Sequence, residues 1–320
     1  MASGAKFNIN KTVVIPLGDE DYRDRLRERR RLRRDSAPIP DDIKIAQEGE
    51  PVRILGAYFG HGISEKDVWE PTIKKIESTL ARWERNYPTI KGLALGNNTM
   101  VGGLTQYLTR VQGMPPDTVK RIRKMTDNFV YAKHGETKSN TISLDTLFNH
   151  WSEGGLSLLD LEARNEAIDL MRLRTYLLPP ELRPVWCDLA DRLLARAAVK
   201  KFHNVGIGAL INPFLQTWKV NLSATGLPMS LKRMMRTAYK YDTALTAVEV
   251  PDDIKTQMPI WYHAGAKTKL KSIYGDKWGV CQRETHHILT VDDMLHHTAR
   301  LRATGCSLRK NCKMQQLQAR

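Results

Sequence analysis

The stretch PVRILGAYFGHGISEKDVWEPTIKKIESTLARW (Pro51–Trp83) contains the change of residue period that decides the fold of this part of the chain. Up to Phe59, β-branched and aromatic residues lie between turn residues, a pattern typical of short strands. From Ser64 onward the apolar residues recur every three or four positions and so share one face of a helix: Trp69, Ile73, Ile76, Leu80 and Trp83. The stretch therefore predicts strands followed by an amphipathic helix.

Two residues compete to mark the start of this helix. Ser64 and Asp67 have the spacing of a capping box, in which each side chain caps the backbone of the other residue. Pro71 would then either kink the helix or mark its first turn, because proline lacks the amide hydrogen that a helix interior uses.

Helical periodicity extends over most of the chain. A weaker helix is predicted at Leu95–Val111, where Gly102 and Gly103 lower the propensity, and Pro116 opens another helix. Further helices are predicted at Asp160–Leu178, Pro184–His203, Ser230–Tyr241 and Thr290–Arg302. Strand patterns occur only near the N-terminus, at Phe7–Leu17, Ile43–Ile45 and Val52–Phe59. The predicted fold class is mostly α with a small β portion.

The composition indicates a basic globular protein. With 320 residues and 41% apolar content, the chain is long enough for two or three domains. The net charge of +15 favours a polyanionic partner, nucleic acid ahead of an anionic membrane. No apolar run approaches the roughly 18 residues of a spanning helix. The cysteines form no disulfide pattern, which predicts an intracellular setting; they are Cys187, Cys281, Cys306 and Cys312.

The densest charge run holds eight arginines within twelve residues: Arg23, Arg25, Arg27, Arg29, Arg30, Arg31, Arg33 and Arg34. So many like charges repel one another unless an anion screens them. The run is consistent with a solvated arm or with phosphate binding, and a nuclear-localisation signal overlaps with both interpretations.

Four motifs occur in a defined order along the chain. They are Gly4–Ile15, the Leu-Gly-x-x-x-Gly element Leu55–Gly60, the Trp69…Leu80-x-x-Trp83 pattern, and GGLSLLDL at Gly154–Leu161. In this order they resemble the reverse transcriptases of non-long-terminal-repeat (LINE-type) retrotransposons, most closely the fungal ones. The resemblance begins after the polymerase active site, so it concerns a C-terminal, truncated part of such an enzyme.

The resemblance implies three regions. Residues 1–62 would be the end of the palm, with the arginine-rich segment and a primer-grip hairpin. Residues 63–135 would be a helical thumb, and residues 136–320 a helical extension that follows the thumb.

A thumb holds a duplex product by its backbone, so it needs cations on a helix face and no base-reading side chains. The resemblance therefore implies nucleic-acid contacts from the arginine run and the helices: Arg29, Arg30, Arg31, Arg82, Arg85, Lys91, Arg110, Lys120, Arg121 and Lys124, with Arg123 beside them. Gly56 and Gly60 would let the hairpin approach a primer strand closely, although plain turn glycines explain them nearly as well. The expected partners are RNA, DNA or an RNA–DNA hybrid, and no membrane; the oligomeric state is left open.

Nucleotidyl transfer by this family uses two Mg²⁺ ions held by aspartates. The pairs Asp41-Asp42, Asp252-Asp253 and Asp292-Asp293 lie in turn or helix-start contexts, the last in a candidate capping box with Thr290. We therefore expect no catalytic residues and no polymerase activity from this chain alone, with Mg²⁺ needed only by an intact polymerase.

Histidines and cysteines concentrate near the C-terminus, but their spacing does not match a structural zinc site, so no metal ligand is predicted; the residues are Cys281, His286, His287, His296, His297, Cys306 and Cys312. Trp261-Tyr262, near Lys267, Lys269 and Lys271, is a candidate platform for base stacking.

Two alternatives to a non-catalytic nucleic-acid binder stay open at this point. The chain could be one segment of a working RNA-directed DNA polymerase whose catalytic part lies upstream. It could also be a helical scaffold, or an inactive transposon fossil, with no nucleic-acid role.

Overall fold

The computed structural model describes residues 8–86, 88–131, 142–243, 252–263 and 277–304. Within these ranges the protein is mostly helical with two small two-stranded sheets, which confirms the predicted fold class. The chain divides into two compact units, Met1–Ile168 and Asp169–Arg320. Over the same ranges, none of the helices is both long and apolar enough to cross a bilayer.

Among the described residues, the four strands and the longest helix belong to the first unit. The strands are β1 (Val13–Val14), β2 (Lys44–Ile45), β3 (Val52–Ile54) and β4 (Ala57–Phe59). The helices are α1 (Glu20–Arg29), α2 (Glu65–Glu84), α3 (Ile90–Asn97), α4 (Gly103–Gln112), α5 (Pro116–Tyr131) and α6 (Leu144–Phe148). Helix α7 (Leu161–Tyr176) crosses the boundary between the units. The second unit contains α8 (Trp186–Arg196), α9 (Met229–Lys240), α10 (Asp252–Gln257), α11 (Lys277–Val280) and α12 (Val291–Thr304).

The strands are shorter than the sequence pattern predicts. Strand β1 pairs with β2 in parallel, and β3 pairs with β4 as an antiparallel hairpin. Ahead of β1 the chain forms a 3₁₀ turn at Ile9–Lys11, which the Thr12 hydroxyl reinforces by donating to the carbonyl of Asn8. The predicted strand over Val52–Phe59 is instead interrupted by a turn at Leu55-Gly56, so that its two halves pair with each other.

Much of the arginine run is helical, which neither interpretation of the sequence predicted. Asp19 caps α1 by accepting from the Tyr22 amide, and acidic residues occupy the first turn. Two of the arginines are then neutralised within the fold: Arg23 and Arg27 both contact the Glu48 carboxylate, at 3.3 and 2.6 Å. Repulsion between the cations is therefore relieved by a residue distant in sequence.

The core of the first unit forms where α2 packs on α3, α4 and α5. Trp69 and Ile76 of α2, Val101, and Ile122 of α5 are almost completely buried. The Trp69 indole donates to the carbonyl of Gly113 at 3.1 Å, so its polar atom is satisfied inside the core. The predicted apolar face of α2 is thereby confirmed.

Ser64 is confirmed as the N-cap of α2, but its hydroxyl accepts from the Lys66 amide, whereas the predicted capping box would use the Asp67 amide. Pro71 lies inside the helix and does not open it. The weaker helix predicted at Leu95–Val111 begins earlier, as α3, and joins α4 through a π-helical segment at Asn98–Gly102.

This π segment positions a brace for the GGLSLLDL motif. The Asn98 amide donates to the carbonyl of Ser157 and accepts from the Leu159 amide, both at 2.8 Å. Position 155 must be glycine because a Cβ there would lie 2.0 Å from the carbonyl oxygen of Asn149. The motif therefore forms an irregular segment, with Ser157 at positive φ, and its Leu158 and Leu161 side chains join the core of the first unit.

The core of the second unit is organised around buried polar groups that find partners. Gln216 is buried; its amide donates to the carbonyls of Ala209 and Trp261 and accepts from the indole of Trp218. A second set joins Tyr176, Arg183 and Asp191, with the guanidinium bonded to both carboxylate oxygens at 2.9 and 3.0 Å. Burial raises the pKa of the Tyr176 phenol, so the phenol keeps its proton and donates a hydrogen bond to the Asp191 carboxylate at 2.7 Å.

Replacement of Asn98 tests the brace on the GGLSLLDL motif. We expect Asn98→Ala to lower the free energy of unfolding by about 1–3 kcal/mol, because two backbone groups lose their partner. The measurement is urea unfolding followed by circular dichroism. Gln106→Ala, an exposed position on α4, is the matched control and should change stability by less than about 0.5 kcal/mol. Equal effects of the two substitutions would contradict the brace.

The Glu48 cluster predicts a pH dependence of stability. Hydrogen bonds from His61, Arg27 and Arg23 lower the pKa of Glu48 from 4.5 to about 2. Because the folded-state pKa is the lower one, the stabilisation is fully present above about pH 4.5 and is lost as the pH falls towards 2. The free energy of unfolding should therefore decline less over this interval in Glu48→Gln than in the wild type.

The control for the pH experiment is Glu28→Gln, an exposed position on α1. It should keep the wild-type pH dependence. Identical pH profiles for the wild type and Glu48→Gln would disprove the role of the cluster.

Candidate nucleic-acid interface

Helix α2 presents three different faces along its length. Trp69, Ile73 and Ile76 belong to the buried face. At about 100° per residue, Glu70, Glu77 and Glu84 form a narrow acidic strip, because a spacing of seven residues returns nearly to the same angle. On the side opposite the buried face, four exposed cations span a basic arc about 100° wide: Lys74, Lys75, Arg82 and Arg85.

The basic arc of α2 is free of ion pairs within the part of the chain that the structure describes. From Lys74 to Arg85 the arc extends about 16 Å along the helix axis. Phosphates of one strand follow each other at about 3.4 Å per step along a B-form duplex axis, so the arc is long enough to follow several phosphates. Lys91, in the first turn of α3, is also exposed.

Some cations of helix α5 form ion pairs within the protein, and others are exposed to solvent. Arg121 bonds Glu70 on the acidic strip of α2, at 2.7 and 3.4 Å. This hydrogen bond holds the pKa of Glu70 below its ordinary value and raises that of Arg121. Arg121 therefore joins α5 to α2. Lys120 and Lys124 are exposed, and the contact of Lys120 with Asp117, at 4.0 Å between two exposed groups, contributes little.

Arg123 is likewise engaged within the fold. Its guanidinium donates to Asp145 at 2.5 Å and lies 5.4 Å from the centre of the Phe148 ring. Arg110 lies exposed in the last turn of α4.

The three arginines predicted at the end of α1 have different surroundings. Arg30 adopts a left-handed conformation, and its guanidinium donates to the carbonyls of Pro40 and Ile43, both at 2.6 Å. The Arg30 guanidinium thus holds the chain segment that follows α1. Arg29 and Arg31 are exposed beside it.

The β3–β4 hairpin is anchored to α4. The side-chain amide of Gln112 accepts from the Tyr58 amide and donates to the Tyr58 carbonyl, at 2.9 and 2.8 Å, as a neighbouring strand would. Tyr107 donates to the carbonyl of Leu55, and Leu55 itself is 91% exposed at the tip. Leu55 and Gly56 both have positive φ, as a two-residue hairpin turn of type I′ requires.

Gly56 and Gly60 have intramolecular reasons to be glycine. A Cβ on Gly56 would lie 3.0 Å from the Tyr107 ring, and one on Gly60 would lie 2.5 Å from the carbonyl oxygen of Glu50. Both values are below ordinary van der Waals contact. Packing of the hairpin against its own neighbours therefore accounts for both residues without a primer strand.

Two of the aspartate pairs lie where the sequence predicted, in a turn and at a helix start. Asp41 lies in an exposed turn, 3.4 Å from Arg30. Asp293 caps α12: it accepts from the Thr290 amide at 2.8 Å, and the Thr290 hydroxyl accepts from the Asp293 amide, which confirms the predicted capping box. Partial burial acts to raise the pKa of Asp293, but the hydrogen bonds from Leu289 and Thr290 outweigh it and lower the pKa.

Among the described residues, no three histidine, cysteine, aspartate or glutamate side chains gather where they could hold a metal ion. Cys306 and Cys312 lie outside the described ranges.

Trp261 and Tyr262 are buried, so their rings do not form an exposed stacking platform as the sequence suggested. The Trp261 indole donates to the carbonyl of Ile288, and Tyr262 packs edge-to-face on Phe202. Lys267, Lys269 and Lys271 lie outside the described ranges.

Lys74 and Lys75 were missed by the sequence reasoning, although a signal for them exists. Both lie about two turns before Arg82 on the helix that the apolar period already defined, on the side opposite Trp69 and Ile76. Applying the helical period to the charges as well as to the apolar residues would have found them.

Comparison of the chain with protein-family models, with curated proteins and with solved structures finds no match.

Replacement of Gly60 separates packing from binding. In Gly60→Ala the new methyl group meets the Glu50 carbonyl and Ile63, so we expect a loss of about 1–3 kcal/mol in the free energy of unfolding. The affinity of the folded variant for an RNA–DNA hybrid should not change. Urea unfolding measures the stability, and fluorescence anisotropy measures hybrid binding at a temperature where the variant is folded.

Gly103→Ala is the matched control for Gly60→Ala. It adds a methyl group in open space at the start of α4 and should leave stability unchanged or raise it by up to about 1 kcal/mol. Weakened hybrid binding by a fully stable Gly60→Ala protein would instead indicate direct contact with nucleic acid.

Proposed function

We propose that the first unit binds the sugar–phosphate backbone of an RNA–DNA hybrid or a related duplex, as the thumb of a LINE-type reverse transcriptase does. The observation that carries the proposal is the basic arc of α2. Four exposed cations without ion pairs among the described residues follow one helix face, opposite the face that builds the core.

The surroundings of this arc favour backbone contact over base readout. Lysine and arginine neutralise phosphates without regard to sequence, and counterion release supplies the binding free energy. Lys91, Lys120 and Lys124 extend the set of exposed cations on the neighbouring helices α3 and α5. The net charge of +15 adds a long-range attraction for any polyanion.

The proposal assigns binding, and not nucleotidyl transfer, to this chain. Transfer by this enzyme class requires two Mg²⁺ ions between aspartates. RNA-directed DNA polymerisation is therefore the activity of the family that the chain resembles. For this chain, the proposal is limited to binding of the duplex product.

A second candidate function, a helical scaffold, is favoured by an apolar stripe on the second unit. Val185, at the N-cap of α8, is 86% exposed; Leu189, one turn into α8, and Leu182, at the end of the preceding 3₁₀ helix, are also exposed. Such a row of large apolar side chains is typical of a protein–protein contact.

The salt dependence of hybrid binding tests the proposal. If about six phosphates are neutralised, the logarithm of the association constant should fall with the logarithm of salt concentration with a slope near −5. Fluorescence anisotropy with a labelled RNA–DNA hybrid measures the slope. Replacing all four cations of the arc with glutamine should reduce the slope by about 3 to 4; the substitutions are Lys74→Gln, Lys75→Gln, Arg82→Gln and Arg85→Gln.

A charge-matched control uses four exposed cations of the second unit: Arg192→Gln, Arg196→Gln, Lys200→Gln and Lys219→Gln. Its slope should stay close to the wild-type value. If the slope fell equally in the two variants, general charge attraction would explain the binding, and the proposed interface would be refuted. A flat salt response of the wild type would favour the scaffold.

A further inference from the structure

A cleft lined with arginine lies at the end of α1 and in the turn that follows it. It has a volume of about 840 Å³ and is partly open to solvent. Five guanidinium side chains line it: Arg25, Arg29, Arg31, Arg33 and Arg34. Tyr22, Leu26 and Leu32 supply the rest of its wall.

Arg30, the residue at which the chain turns after α1, keeps these cations close together. Arg30 ends α1 in the left-handed conformation, and its guanidinium is tied to the carbonyls of Ile39, Pro40 and Ile43. Leu26, one turn earlier, is buried, and its carbonyl accepts a hydrogen bond from the Arg30 amide. Arginines from the last turns of α1 and from the following turn consequently face one concave space.

Unlike the neighbouring Arg23 and Arg27, the cleft arginines have no carboxylate partner among the described residues. Arg23 and Arg27 contact the Glu48 carboxylate, whereas the five cleft arginines form no side-chain hydrogen bond or ion pair within residues 8–86 and the other described ranges. Like charges held in a concave space raise each other's free energy until an anion enters. The arrangement therefore favours a ligand with several negative charges close together.

We propose that this cleft binds a linear polyphosphate group of three or more phosphates. Guanidinium groups match phosphate oxygens with paired hydrogen bonds, and several can act on adjacent phosphates of one ligand. The volume lies within the range of about 300–1,000 Å³ usual for small-ligand pockets. A duplex backbone is convex and spreads its phosphates along a groove, so the cleft suits a compact polyphosphate better. This site goes beyond the duplex interface and does not depend on it.

Isothermal titration of the full chain with sodium tripolyphosphate tests the proposal. The wild type should bind tripolyphosphate at least about tenfold more tightly than orthophosphate, since several arginines act on one ligand. The triple variant Arg29→Gln, Arg31→Gln and Arg33→Gln should weaken the binding by about 100-fold. A second variant, Arg25→Gln with Arg34→Gln, should also weaken it, which keeps the test valid if the first variant folds poorly.

The matched control removes three exposed cations of the second unit, outside both proposed sites: Arg192→Gln, Arg196→Gln and Lys200→Gln. Its tripolyphosphate affinity should stay within about twofold of the wild type. No wild-type binding, equal affinity for orthophosphate, or unchanged binding in both cleft variants would overturn the proposal.

Two sources of the polyphosphate are distinguished in the same assay. Tighter binding of an RNA with a 5′-triphosphate than of the same RNA with a 5′-hydroxyl supports a strand end, and equally tight binding of ATP supports a free nucleotide. Hybrid binding is measured in the same proteins. Loss of hybrid binding with tripolyphosphate binding intact would refute only the duplex interface, and the reverse result would refute only the cleft.

Discussion

The burial of one face of α2 is the constraint on which the first unit depends. Trp69 is 1% exposed, and its indole bonds the Gly113 carbonyl at the turn between α4 and α5. This bond fixes the rotation of α2 about its own axis. The acidic strip then faces Arg121 of α5, while the basic arc faces solvent. The buried face of α2 thus decides which of its charges pair inside the protein and which face solvent.

Arginines of the same sequence run have different roles according to what the tertiary structure places beside them. Arg23 and Arg27 meet the Glu48 carboxylate. Arg30 meets backbone carbonyls, which lack a formal charge but accept strong hydrogen bonds from a guanidinium. Arg29 and Arg31 face an open cleft. A count of charges in the run would treat all of these residues alike.

Side-chain amides take the place of missing backbone partners in both units. Gln112 bonds the outer edge of the β4 strand, Asn98 bonds the GGLSLLDL segment, and Gln216 bonds two carbonyls inside the second core. Each amide both donates and accepts, as a peptide group does, so it can continue a backbone pattern where no strand or helix is available. Short strands and irregular segments are stabilised in this way without extending the sheets.

The sequence by itself determined the helices that have a clear apolar period, the cap at Ser64, the capping box of Thr290 and Asp293, and the excess of positive charge. These features depend on neighbours within a few residues, and local spacing records them. Only the tertiary structure decided that α1 is a helix, that Gly60 is required by packing, that Trp261 is buried, and which cations stay exposed. Those outcomes depend on contacts between residues far apart in the chain, such as Glu48 with Arg23 or Glu70 with Arg121, and a one-dimensional pattern carries no record of such distances.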